Sequence, residues 1–143
     1  MTRKNGFSLI EILIVLVVVA VIAMVAIPSY LDSVQKARRT DGRNALLALQ
    51  VNQEKYRANC AQYGASIGAS DVCTTGSYTL KGSTSSTEGY YTVAITGGSA
   101  SATGYVATAT ATGAQAGDTN CPTLTLTVSN VSPEGAYTPA DCW

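Results

Sequence analysis

The sequence predicts an α+β protein in which one long N-terminal helix packs, over its second half, on an antiparallel sheet. Almost every residue in 7–27 is apolar, and residues 12–27 carry no polar side chain. Apolar residues then recur at helical spacing over residues 29–58. Beyond residue 76, short runs alternate apolar residues with threonine, as strands with one solvated face do.

The apolar block at residues 7–27 is long enough to span a membrane, because a bilayer core of about 30 Å needs roughly 20 apolar residues as helix. No small-residue cleavage pattern lies near its end, which favours retention of the block over its removal as a secretory signal. Glu11 lies inside it, and a charge at the centre of a span costs about 2.5 kcal/mol or more, so Glu11 is a functional candidate. A plain single-span anchor is the alternative. Pro28 is expected to end or kink the helix.

The second helical segment, residues 29–58, is amphipathic. At about 100° per residue, one broad face is formed by a mainly apolar set: Leu31, Val34, Arg38, Gly42, Ala45, Leu46, Leu49, Gln53 and Tyr56. Leu47 and Val51 point the other way. They are either ordinary exposed hydrophobic residues or contacts with a neighbouring subunit.

The remaining chain predicts a loop at residues 59–76 and a sheet over residues 77–128. Four runs have strand character: residues 77–81, 90–96, 105–112 and 123–128. Glycine-rich segments separate them as turns. The tail is rich in turn residues and ends at Cys142-Trp143. The resulting division is residues 1–6 as a leader, 7–28 as the apolar helix and 29–143 as one globular domain.

Composition excludes several kinds of site. The chain has 9 basic and 9 acidic residues and no histidine, which removes His-based triads and His metal ligands. The four cysteines form no CxxC motif, and their even number favours disulfides in an exported chain. The carboxylates have no base beside them and are expected on solvated surface. We therefore expect no enzyme activity, no cofactor and no metal.

The first 30 residues resemble type IV pilins and the related pseudopilins. The resemblance is carried by a short basic leader ending in Gly6, by Phe7 after it, by Glu11 five residues past the glycine, and by the long apolar helix. It implies a pilin fold, cleavage between Gly6 and Phe7 by a membrane prepilin peptidase, and N-methylation of Phe7. It also implies that Glu11 and Pro28 correspond to the family's conserved acid and helix-interrupting proline.

The resemblance extends to the cysteines. It matches Cys121 and Cys142 to the pair that closes the family's C-terminal region, here residues 121–142. A second local disulfide is expected between Cys60 and Cys73. Closing loops of about 14 and 22 residues is worth about 3 kcal/mol each in the chain-entropy model.

The function implied is that of a structural pilus subunit serving motility, adhesion or DNA uptake. Its expected partners are copies of itself or other pilins, prepilin peptidase, the inner-membrane assembly machinery and, before assembly, the membrane. The precursor is expected in the bacterial inner membrane with a cytoplasmic N-terminus and periplasmic globular domain, and the mature chain in an extracellular pilus. The alternatives are a type II secretion pseudopilin and a DNA-receptor minor pilin. Nucleic acid is not expected as a partner, because beyond Arg57 only Lys81 opposes five acids.

Overall fold

A computed structural model describes residues 8–143 of the chain. Its first element, α1, is a single helix of 49 residues, Leu9–Arg57. Of the two outcomes expected at Pro28, an end of the helix is wrong, because α1 continues through this residue, and a kink stays a prediction. An internal proline removes one N–H donor and crowds the preceding turn, at about 3 kcal/mol. The helix continues on both sides of Pro28, so its intrahelical hydrogen bonds on either side stay in place.

The chain divides into two compact units, Met1–Lys36 and Ala37–Trp143. The described part of the first unit is helix, and its apolar side chains are exposed throughout residues 9–22. This segment is long and apolar enough to cross a membrane, and none of it is buried by the residues that the structure describes. The second unit, called the head from here on, contains the rest of α1 and all the strands.

The head contains a three-stranded and a four-stranded sheet. The strands are β1 (Ser66–Gly68), β2 (Val72–Thr74), β3 (Ser77–Lys81), β4 (Tyr91–Ile95), β5 (Tyr105–Ala111), β6 (Thr123–Val128) and β7 (Ala136–Thr138). Two 3₁₀ turns lie at Gly113–Gln115 and Ala140–Cys142. The four runs predicted as strands are β3 to β6. The larger sheet is antiparallel in the order β4-β5-β6-β7.

Three strands were not predicted from the sequence. The segment expected as a loop, residues 59–76, contains β1 and β2, which pair on either side of β3. The β1–β3 pairing is parallel, so the smaller sheet is mixed rather than antiparallel. The turn-rich tail adds β7 at the edge of the larger sheet. Each of these strands has 3 residues, too few for an alternating pattern to be visible.

The core lies between the inner face of the larger sheet and one face of α1. Cross-strand register places Val93, Ala109 and Leu124 in one row, and all three side chains are buried. The helix contributes Leu46 and Leu49 to the same core. Gly42 lets the helix approach closely, since a Cβ at this position would lie 2.9 Å from the Tyr91 ring. Alanines on β5 and the absence of a side chain at residue 42 therefore set the spacing between helix and sheet.

Candidate functional site: α1 and the surfaces that it organises

A buried ion pair joins α1 to the segment before Cys121. Arg39 Nε donates to Asp118 Oδ2 at 2.7 Å, and Arg39 Nη2 donates to Oδ1 at 2.8 Å. Asp118 is fully buried and also accepts from Gln115 Nε2 at 2.9 Å and from the Cys121 N–H at 3.2 Å. Hydrogen bonding from the Arg39 guanidinium lowers the pKa of the Asp118 carboxyl below its ordinary value, although burial alone raises it.

Asp118 corrects the expectation that all the carboxylates lie on solvated surface. Arg39, which is 7 % exposed, is a buried base that was not predicted from the sequence. The spacing of the sequence could have predicted the burial of Arg39. It precedes Gly42 and Leu46 by three and seven residues and so shares their side of the helix. A basic residue on this buried side of the helix needs an acidic partner from elsewhere in the chain, because a buried charge is costly without one. Nothing in the sequence selects Asp118 among the acids.

A second buried acid, Asp41, holds the segment before β4. Asp41 Oδ2 accepts from Ser86 Oγ at 2.6 Å and from the Tyr90 N–H at 3.3 Å, while Oδ1 accepts from the Glu88 N–H at 3.1 Å. The Arg38 guanidinium lies 4.7 Å from the centroid of the Tyr90 ring, a cation–π contact. One short stretch of α1 therefore fixes both the entry to β4 and the segment before β6.

The C-terminal tail is attached to α1 by side chains that lie four and eleven residues after Arg39. Arg43 Nε donates to the Cys142 carbonyl at 2.7 Å, and Gln50 Nε2 donates to the Glu134 carbonyl at 2.8 Å. Tyr137 Oη donates to Gln50 Oε1 at 2.8 Å. The structure pairs Cys121 with Cys142, with their Cα atoms 5.9 Å apart. The disulfide and the helix contacts together hold a tail that would otherwise fray.

The C-terminal end of α1 holds the segment between Cys60 and Cys73. Gln53 donates to the Gly64 carbonyl at 2.9 Å and accepts from the Gly64 N–H at 2.8 Å. Arg57 Nη1 donates to the Cys60 carbonyl at 2.8 Å. Cys60 is bonded to Cys73, so both disulfides have the local pairing expected from the sequence.

The residues predicted to act in assembly are not brought together in one place. Glu11 lies exposed in the first turn of α1, where its N–H donates to the Ser8 carbonyl at 3.1 Å. Gly6 and Phe7 lie outside the described residues, so cleavage, methylation and the pairing of Glu11 with an N-terminal amine stay predictions. Leu47 and Val51 are 42 % and 53 % exposed on α1, away from the sheet. Their contact with a neighbouring subunit also stays a prediction.

Comparison with known families agrees with this layout. Residues 1–27 match the prokaryotic N-terminal methylation motif. Residues 28–125 match the family described as type IV minor pilin ComP, DNA uptake sequence receptor. No curated protein matches the chain.

An N-terminal methylation motif on a long apolar helix, followed by an α+β head, defines the class of type IV pilins. The second match covers more than half of the chain, and the chain belongs to the type IV minor pilin ComP family. The motif and the helix fit a membrane-anchored precursor that later joins a pilus. The expectation that nucleic acid is not a partner is not supported, because this family is described as a DNA uptake sequence receptor.

The Arg39–Asp118 pair generates a prediction for stability. Arg39→Met should lower the free energy of unfolding by about 3–5 kcal/mol at pH 7, because it leaves a buried carboxylate without its cation. The double variant Arg39→Met with Asp118→Asn should recover most of that loss, because no buried charge remains. Urea unfolding of the full chain in detergent measures both.

The same pair predicts a pH dependence. The pKa of Asp118 is lower in the folded state than in the unfolded state. The ion pair therefore contributes its full stabilisation of the fold above the unfolded-state pKa of about 3.9. That contribution is lost as the pH falls through the folded pKa. Unfolding measured between neutral pH and pH 2 should therefore show a smaller acid-induced loss in Asp118→Asn than in the wild type. Equal losses would exclude the pair as a source of acid sensitivity.

Proposed function

We propose that this pilin is a structural subunit that enters a type IV pilus through the apolar part of α1, with no catalytic role. The observation that carries this proposal is a helix that has no polar side chain over residues 12–27 and is not buried within the described part of the chain. A helix that is apolar on all sides belongs in lipid or at the centre of a bundle. Before assembly the membrane provides the first environment, and in the filament other α1 helices provide the second.

The transfer of α1 from the membrane to the filament needs a polar contact that favours one arrangement of the subunits. Lipid is as apolar as leucine, so transfer of α1 from the membrane to a bundle has little hydrophobic driving force. Glu11 is the carboxylate in the first turn of α1. Cleavage after Gly6 by prepilin peptidase would create an amine at Phe7, and the Phe7 amine of an incoming subunit can pair with Glu11 of its neighbour. The alternative is pairing of Glu11 with its own amine, which would only ease membrane insertion.

For the precursor we propose a cytoplasmic N-terminus and a periplasmic head in the inner membrane. Arg3 and Lys4 favour the cytoplasmic side for the N-terminus. The two disulfides of the head require an oxidising compartment. The mature chain is then extracellular, as part of the pilus.

Pairing of Glu11 with the Phe7 amine of an incoming subunit would set the axial register of assembly. The variant Glu11→Gln tests this role. The variant should still be cleaved after Gly6, but its share in sheared filaments should fall at least tenfold, because an unpaired partner charge in an apolar core costs about 3–5 kcal/mol. Quantitative immunoblotting of membranes and filaments measures both steps. Ser8→Ala, which changes an exposed polar residue three positions earlier, should assemble normally. Wild-type incorporation of processed Glu11→Gln would show that Glu11 does not set the register.

A second candidate function, contact of the head with DNA, is favoured by the family match and by the end of α1. Lys55 is exposed there, and Arg57 Nε donates to the Ala102 carbonyl at 3.1 Å. The segment around Ala102 is uncharged, and the sequence has no acid or base from residue 90 to 117. Phosphates could therefore approach Lys55 and Arg57 beside a neutral, hydroxyl-rich loop without meeting an acid from that loop.

Duplex DNA binding by the full chain in detergent tests this candidate. In a salt titration, Lys55→Ala should reduce the slope of log K against log salt by about 1, the effect of one lost phosphate contact. Lys36→Ala, which removes another exposed base of α1, should leave the slope unchanged. No measurable binding by the wild type at low salt would exclude the candidate.

A further inference from the structure

The two disulfides of the head differ in how far solvent reaches them. Cys121 and Cys142 are 2 % and 1 % exposed, so the bond between them lies inside the core. Cys60 is 6 % exposed, but its partner Cys73 lies exposed on β2. Because access is one of the factors that set the rate of thiol–disulfide exchange, a thiol in solution should reach the Cys60–Cys73 bond through Cys73 and should not reach the other bond.

The chain around Cys73 contributes little to the core. No residue from 65 to 76 is buried, and this stretch, called the outer segment from here on, contains β1 and β2. β2 lies at the edge of the smaller sheet, beside β3, and its Val72 carbonyl accepts from the Tyr56 hydroxyl of α1. Segments with few buried contacts open at a lower free energy than the core does. Loss of the disulfide should therefore loosen the outer segment and leave the rest of the head folded.

The same disulfide joins the outer segment to the end of α1. The Cys60 N–H donates to the Tyr56 carbonyl at 3.0 Å, so Cys60 closes the last turn of the helix. Arg57 Nη1 donates to the Cys60 carbonyl at 2.8 Å, and Arg57 Nε donates to the Ala102 carbonyl at 3.1 Å. The orientation of the Arg57 guanidinium thus depends on the position of Cys60, which the bond to Cys73 fixes.

We propose that the Cys60–Cys73 disulfide is a redox switch that controls the end of α1. A dithiol reductant opens it, a disulfide oxidant closes it again, and the Cys121–Cys142 disulfide stays closed throughout. The inference rests on the second candidate function, because the site that the switch controls is the proposed DNA contact at Lys55 and Arg57.

Opening takes two exchange steps. A thiolate of the reductant attacks the exposed Cys73 sulfur, the bond between Cys73 and Cys60 breaks, and Cys60 leaves as a thiolate that takes up a proton. The second thiol of the reductant then attacks the mixed disulfide and releases Cys73 as a thiol. Two electrons pass to the protein, and the dithiol ends as a disulfide.

Opening should weaken DNA binding through loss of preorganisation. Without the bond to Cys73, the turn at Cys60 can fray, and DNA has to order the Arg57 guanidinium when it binds. Lys55 and Arg57 keep their charges in both states. The number of phosphate contacts, and with it the slope of log K against log salt, should therefore change little.

Selective opening is measured on the full chain in detergent. The protein is treated with increasing concentrations of dithiothreitol, free thiols are blocked with iodoacetamide, and a peptide map identifies the modified cysteines. Cys60 and Cys73 should be modified at about tenfold less dithiothreitol than Cys121 and Cys142, because access governs the exchange. Simultaneous opening of both disulfides, or earlier opening of Cys121–Cys142, would overturn the proposal.

The effect on the end of α1 is measured by duplex DNA binding at the dithiothreitol concentration that opens Cys60–Cys73 alone. The affinity should fall severalfold and should return when oxidised glutathione closes the bond. The double variant Cys60→Ser with Cys73→Ser should bind as weakly as the reduced wild type and should not respond to dithiothreitol. The reversible change in the wild type decides the matter even where this variant folds poorly.

The two possible failures are distinguishable. Absence of DNA binding by the oxidised wild type would be a failure of the proposed DNA contact. Failure of the switch would instead leave the oxidised chain bound to DNA, with the same affinity after Cys60–Cys73 has been opened.

Discussion

The structure depends on one constraint: a single helix carries both the surface that other molecules must cover and the surface on which the head folds. The first part of α1 is apolar on all sides, and none of its membrane-length stretch is buried among the described residues. The later part buries one face against the sheet and exposes the other. Since α1 continues through Pro28, both tasks fall on one continuous element.

Polar side chains of α1, more than its few leucines, determine where the loops of the head lie. β5 contributes mostly alanine to the core, so apolar burial alone defines these loops poorly. Instead, polar residues along the helix bind distant segments of the head: Arg39, Asp41, Arg43, Gln50, Gln53 and Arg57. Several of these contacts are buried, where an unsatisfied polar group is costly, so they specify one arrangement. Both the segment before β4 and the C-terminal tail depend on this arrangement.

The sequence predicts the parts of this fold that repeat with a period, and the resemblance adds the cysteine pairing. The strands β3 to β6 and the buried positions of Gly42 and Leu46 follow from alternation and helical spacing. The three-residue strands do not, because their pairing depends on distant partners such as β3. Buried charges were missed as well, since spacing does not distinguish a solvated Asp118 from a paired one. The expectation that nucleic acid is not a partner came from the charge balance beyond Arg57, and a sum of charges carries no information about a local surface.

We propose that this pilin is processed and built into a filament through the start of α1. The most direct measurement is the mass of the N-terminal peptide of this chain recovered from purified, sheared filaments. A processed and assembled subunit should give a peptide that begins at Phe7 and carries one added methyl group. A peptide that retains Met1, one that begins beyond the apolar segment, or the absence of the chain from filaments would contradict it.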